Sequence, residues 1–157
     1  MIITDDLRNL LIRHEGLRLK PYQCPAGKWT IGVGHNMGAN PLPDMIQHQL
    51  DTFGSITEDM AMELLDHDLL DAIFNCRRLY RDFEKFTDRR KMALVDFIFN
   101  VGMRTARTFE RTNRAINRGD WEAAAQGFEK SLWFRQVGFR GPEIVKMIRE
   151  GKKGERS

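Results

Sequence analysis

The spacing of apolar residues changes several times along this chain, and each change predicts a different element. Leu7, Leu10, Leu11 and His14 recur at the 3.6-residue period of one helix face, behind Asp5 and Asp6, which suit the positive end of the helix dipole. Gly16 is a natural stop. The period then drops to two. Leu17 and Leu19 alternate with Arg18 and Lys20, and Trp29, Ile31 and Val33 alternate again after Pro25-Ala26-Gly27, which predicts a β-hairpin with a Pro/Gly turn. From Asn36 to Gly54 the pattern is irregular and broken by Pro41 and Pro43, with a short helix expected after Asp44.

Helical spacing returns at Thr57, an N-cap residue followed by Glu58 and Asp59. Met60, Leu64, Leu65, Leu69, Ala72, Ile73 and Cys76 form one apolar stripe. A helix of that length, roughly twenty residues, spans about 30 Å, enough to join two lobes. Met92–Val101 is almost wholly apolar and predicts a buried helix ended by Gly102. Further helices are expected over 105–118, over 120–132 with Asp120 as cap, and over 142–150 with Pro142 at the first position. The order of elements predicts an α+β fold with one domain over 1–157. A small lobe at about 16–58 and a linking helix at about 57–77 lead to a helical lobe at about 78–150, which also takes helix 4–15.

Charge changes this picture more than composition does. Residues 1–71 hold 5 Lys/Arg against 11 Asp/Glu, a net of −6, whereas residues 72–157 hold 20 against 11, a net of +9. The second half is expected to favour an anionic partner, its basic tail at 146–157 included. A nucleic acid is not that partner, because neither a binding motif nor interleaved aromatics appear. No run reaches the roughly 18 apolar residues of a membrane span, so no stable membrane insertion is expected. Acids stand where a secretory signal needs positive charge, so synthesis and retention in a cytoplasm are expected. Cys24 and Cys76 are too few for a disulfide scaffold and lack zinc spacing. No metal and no cofactor are expected, and Cys76 falls on the apolar face of the long helix as a packed thiol.

One group of residues carries chemistry. Glu15 ends the first helix, nine residues before Cys24 and fifteen before Thr30, and a hairpin returning past that helix end would gather all three. Cleaving a glycosidic bond requires an acid for the leaving oxygen and a second group on the opposite face of the sugar. A carboxyl flanked by apolar residues is suited to the acid role, because desolvation favours its protonated form. A glutamate at a helix end is otherwise simply a solvated residue.

The run Glu15-Gly16-Leu17-Arg18-Leu19-Lys20-Pro21-Tyr22, followed by Gly27-Lys28-Trp29-Thr30-Ile31-Gly32-Val33-Gly34-His35, resembles the signature of the phage-type lysozymes. That family spaces Glu, eight residues, Asp or Cys, five residues, Thr, and Glu15, Cys24 and Thr30 keep that spacing. The resemblance continues through Ile56-Thr57, Leu64-Leu65, Asp68, Phe99-Asn100-Val101-Gly102, Gly119-Asp120-Trp121-Glu122-Ala123-Ala124 and Lys130-Ser131-Leu132-Trp133. It implies a peptidoglycan hydrolase that cuts between N-acetylmuramic acid and N-acetylglucosamine. Glu15 would be the general acid, and Thr30 would hold the attacking water. Cys24 takes a position often filled by Asp, and an ordinary thiol is only a few per cent ionised at neutral pH. It must therefore be activated, act as a nucleophile, or stand by.

By the same resemblance Asn36, Phe99, Asn100, Thr112 and Arg140 are expected to contact substrate, and His35 and Asp68 to form a bracing charge pair. Trp133, Trp121, Phe97 and Phe109 are expected in the core. The resemblance further implies a monomer that lyses the wall of a bacterial host, released across the membrane by a separate holin-like protein. A lytic transglycosylase using Glu15 alone, a Cys24–His35 peptidase and a non-enzymatic binder of anionic polymers are the alternatives. Product analysis on purified peptidoglycan separates them.

Overall fold

A computed structural model describes residues 1–152, so the tail from 153 onward lies outside the described residues. Helix α1 (Asp5–Glu15) leads into an antiparallel sheet of β1 (Arg18–Gln23), β2 (Trp29–Gly32) and β3 (His35–Asn36). Seven more helices follow: α2 (Asp44–Phe53), α3 (Glu58–Leu79), α4 (Asp88–Arg107), α5 (Glu110–Asn117), α6 (Trp121–Glu129), α7 (Leu132–Gln136) and α8 (Arg140–Glu150). A 3₁₀ turn at Phe83–Lys85 precedes α4. The fold is α+β, as the order of periodicities predicts. No described helix is long and apolar enough to cross a membrane.

The chain divides into two compact units, one of Ile2–Leu70 and one of Met1 with the residues from Asp71 onward, and the division falls within α3. The first unit contains α1, the sheet and α2. Thr4 caps α1, its hydroxyl accepting from the Leu7 amide at 3.2 Å. Leu7, Leu10 and Leu11 are buried, while His14 is only half-buried. Arg8 grips Asp66 of α3 with two bonds, Nε to Oδ1 at 2.8 Å and Nη2 to Oδ2 at 3.0 Å. The core beneath the sheet is small and aliphatic: Ile31, Leu42, Ile46, Ile56, Ala61 and Leu64. Trp29 departs from the alternation and is 55% exposed at the first position of β2.

Strands β1 and β2 are out of step by two residues. Arg18 pairs with Gly32 and Tyr22 with Thr30, so four steps on one strand oppose two on the other. Pro21, which has no N–H to give a ladder, lies inside this bulge. The bulge sets Tyr22 across from Thr30.

The second unit packs α8 on α4 and α6, and α5 on α6. Its centre is aromatic. The Phe97 ring meets Phe109 and Phe128, both at 4.9 Å, and Trp133 at 5.0 Å, all edge-to-face. Phe97 and Trp133 are buried, whereas Phe109 and Trp121 are half-buried. Arg90 donates to the carbonyls of Ile148 at 2.7 Å and Arg149 at 3.1 Å, satisfying the C-terminal end of α8, and its guanidinium lies 4.4 Å from the centre of the Trp121 ring.

Four helix boundaries differ from expectation. Helix α4 begins at Asp88 under a Thr87 cap, and Arg90 and Lys91 are buried although the sequence reads as polar there. At Gly102 the backbone leaves the helix (φ 79°) and resumes to Arg107, so 105–118 is shared between α4 and α5. Ser131 caps a separate helix α7, dividing the expected 120–132 element. Helix α8 starts at Arg140, which leaves Pro142 at its third position.

Candidate active site

Glu15 is the last residue of α1 and is half-buried; Gly16 closes the helix by donating its N–H to Ile12 O at 2.8 Å. The β1–β2 turn is a small hydrogen-bonded loop. Cys24 N–H donates to Lys28 O at 2.9 Å, Gly27 N–H donates to Cys24 O at 2.8 Å, and the Thr30 hydroxyl donates to Lys28 O at 2.9 Å. Thr30 itself is buried.

This loop changes the chemistry of the Cys24 thiol. The Lys28 and Ala26 amides favour the charged sulfur, the Thr30 hydroxyl adds a smaller influence in the same direction, and the Lys28 ammonium adds positive charge. Together they hold the thiol below its ordinary pKa despite some desolvation, with the Lys28 amide the largest influence. A thiolate at this position is stabilised by the turn that carries it.

Tyr22, across the ladder from Thr30, links Glu15 to this loop. Burial first, then the negative charges of Glu15 and Cys24, raise the pKa of its hydroxyl, while Arg18 works against them. The Arg18 guanidinium lies 4.5 Å from the Tyr22 ring centre. The first unit therefore brings Glu15, Tyr22, Cys24 and Thr30 into one neighbourhood.

His35 and Asp68 lie within the same unit, with His35 Nδ1 2.6 Å from Asp68 Oδ2 and Nε2 2.8 Å from Asn40 O. Both partners are acceptors, so both ring nitrogens donate only in the imidazolium form. Burial opposes that charge, but the Asp68 hydrogen bond and charge outweigh it and raise the His35 pKa. Asn36 uses its side-chain oxygen on its own turn, accepting from Gly38 N–H and Ala39 N–H at 3.1 Å each.

Phe99, Asn100, Thr112 and Arg140 belong to the second unit. Phe99 is half-buried, and Asn100 is exposed with its side-chain oxygen accepting from Trp133 Nε1 at 2.8 Å. Thr112 is buried against Gly127 and lines an open cavity of about 890 Å³ together with Gln126, Lys130 and Trp133. Arg140 is buried and donates from Nε to Asp96 Oδ1 at 2.7 Å. Asp96, fully buried, was legible as the one acid within the apolar run Met92–Val101. Tyr22 was legible only through the register of the bulged hairpin. Cys76 is fully buried and its thiol pKa is raised well above the ordinary value by desolvation, so it stays protonated.

A family model described as phage lysozyme matches residues 12–148. An endolysin of Acyrthosiphon pisum secondary endosymbiont phage 1 is 35% identical, the match covering 85% of this chain and 82% of that protein. The pre-baseplate central spike protein Gp5 of Enterobacteria phage T4 is 32% identical over 96% of this chain, but the match spans only 29% of the spike protein's own length. A probable T4-type lysozyme 1 of Dictyostelium discoideum is 25% identical, covering 95% of this chain and 96% of that protein.

Proposed function

This chain belongs to the phage lysozyme family, and we propose that it is a muramidase, hydrolysing the β-1,4 bond between N-acetylmuramic acid and N-acetylglucosamine in peptidoglycan. The observation that supports this best is the grouping of a carboxyl, a readily ionised thiol and a hydroxyl around one hairpin, in the family's spacing. Glu15 gives its proton to the leaving glycosidic oxygen as the C–O bond breaks. Thr30 holds the water whose oxygen bonds to the sugar carbon. The Cys24 thiolate supplies the anion this step needs, as base toward that water or as nucleophile toward the carbon.

The remaining assignments follow the same reading. His35 and Asp68 brace the unit that carries Glu15, and Asn36, Phe99, Asn100, Thr112 and Arg140 contact the polymer. The biological role is lysis of a host wall from a cytoplasmic site of synthesis, by a monomer that a separate holin-like protein releases. Purified peptidoglycan should yield new reducing ends, and mass analysis should find muramic acid termini that have gained one water. Anhydro termini, lighter by that water, would assign a transglycosylase instead, and no cleavage at all would end the enzymatic reading.

A further inference from the structure

Gly34 lies between β2 and β3 with φ +63°, and its α-carbon faces Glu15 at close range. A methyl group built there would stand 2.8 Å from Glu15 Cδ and 2.9 Å from both Cγ and Oε1. Real carbons do not approach so closely, so the Glu15 side chain occupies space that any other residue at 34 would fill. The three nearest atoms it would meet are all in the Glu15 side chain. A methyl at 34 would thus be accommodated chiefly by turning the carboxyl away.

We propose that Gly34 is a positioning residue for the acid: its bare α-carbon is the surface against which the Glu15 carboxyl is set for proton delivery. The inference rests on the reading of Glu15 as the acid. Proton transfer requires hydrogen-bond reach to the leaving oxygen, and an error of 1 Å in a reacting group lowers the rate by about 100-fold. Relieving a 2.8 Å collision to ordinary contact demands a displacement of about that size.

The neighbouring strand provides a matched control. Gly32 has φ +64°, almost the same positive value, but the nearest atoms a methyl there would meet are those of Ala61, at 3.6 Å, which is ordinary contact. An alanine at either position carries the strain of a positive φ. Only the one at 34 meets Glu15.

The experiment compares Gly34→Ala with Gly32→Ala on a soluble glycan oligomer, kcat and KM being measured per folded molecule. Gly34→Ala should lose about 100-fold in kcat with KM within a few-fold of the parent, while Gly32→Ala keeps kcat within a few-fold. Near-parental kcat in Gly34→Ala, or an equal fall in both, would overturn the proposal. A stability cycle tests the contact without activity. In a Glu15→Ala background the colliding atoms are gone, so Gly34→Ala should lower the unfolding midpoint no more than Gly32→Ala does. If Gly34→Ala fails to fold in the parent, folding recovered in the Glu15→Ala background supports the contact, and failure there refutes it. Glu15→Gln keeps the two ideas apart, because lysis by that variant removes the acid reading while leaving the stability cycle to be judged by itself.

Discussion

The two compact units differ in what their interiors are made of. The Ile2–Leu70 unit has a small aliphatic core, a bulged hairpin and polar groups set against backbone, with Glu15 over Gly34 and Cys24 within its turn. The unit from Asp71 onward has interlocking aromatic rings and a buried Arg140–Asp96 pair. In the first, backbone geometry arranges reactive groups, and few atoms stand behind each. In the second, burial dominates, and removing a ring leaves a hole. Mutations of the hairpin's reactive groups should therefore alter rate more than stability, and truncations of the aromatic core the reverse.

The sharpest break of this comparison is Glu15→Gln. The amide has nearly the same shape but delivers no proton, so wall lysis should be abolished while the thermal midpoint barely moves. Strong residual lysis by the folded variant would remove Glu15 from its role.

Cys24 comes next. Loss of a catalytic base lowers rates by about 10²–10⁴-fold, and Cys24→Ala should fall in that range, with Cys24→Ser crippled less and Cys24→Asp active. Since the turn lowers the thiol's pKa, parental activity should persist to lower pH than an ordinary thiol would permit. Iodoacetamide should inactivate the parent and leave Cys24→Asp untouched. Parental rates in Cys24→Ala would make the thiol a bystander.

In the second unit, Phe97→Ala should reduce stability by about 3–5 kcal/mol, the range for a buried aromatic truncated to alanine. Calorimetry or denaturant titration would show it. The fraction still folded should cleave soluble glycan at a rate close to the parent's, and a rate loss as large as that of Cys24→Ala would erase the contrast between units.

The smallest effect expected is a pH dependence within the first unit. His35 has its folded pKa raised above the unfolded value of about 6.5. Its contribution to stability is thus complete below about pH 6.5 and is lost as pH rises through the raised folded value. Thermal midpoints measured from pH 5 to 9 should fall across that window in the parent. Asp68→Asn should flatten the dependence, and an unchanged slope would show that the pair does not govern it.

The sequence by itself determined the element types. Periods of two and 3.6 placed the hairpin and α1, α3 and α4, because side-chain direction follows directly from local geometry. It also determined the motif holding Glu15, Cys24 and Thr30. Its failures at Arg90 and Lys91, and at Ser131, share one cause: a charged residue buried with its partners, or a hydroxyl that caps a new helix, looks polar in either setting. What only the tertiary structure decided is contact across sequence. The bulge at Pro21 put Tyr22 opposite Thr30, the fold of the β1–β2 turn gave Cys24 its donors, and Gly34 came against Glu15 nineteen residues away. Each depends on where backbone from another element arrives, and the pattern of apolar positions carries no term for that.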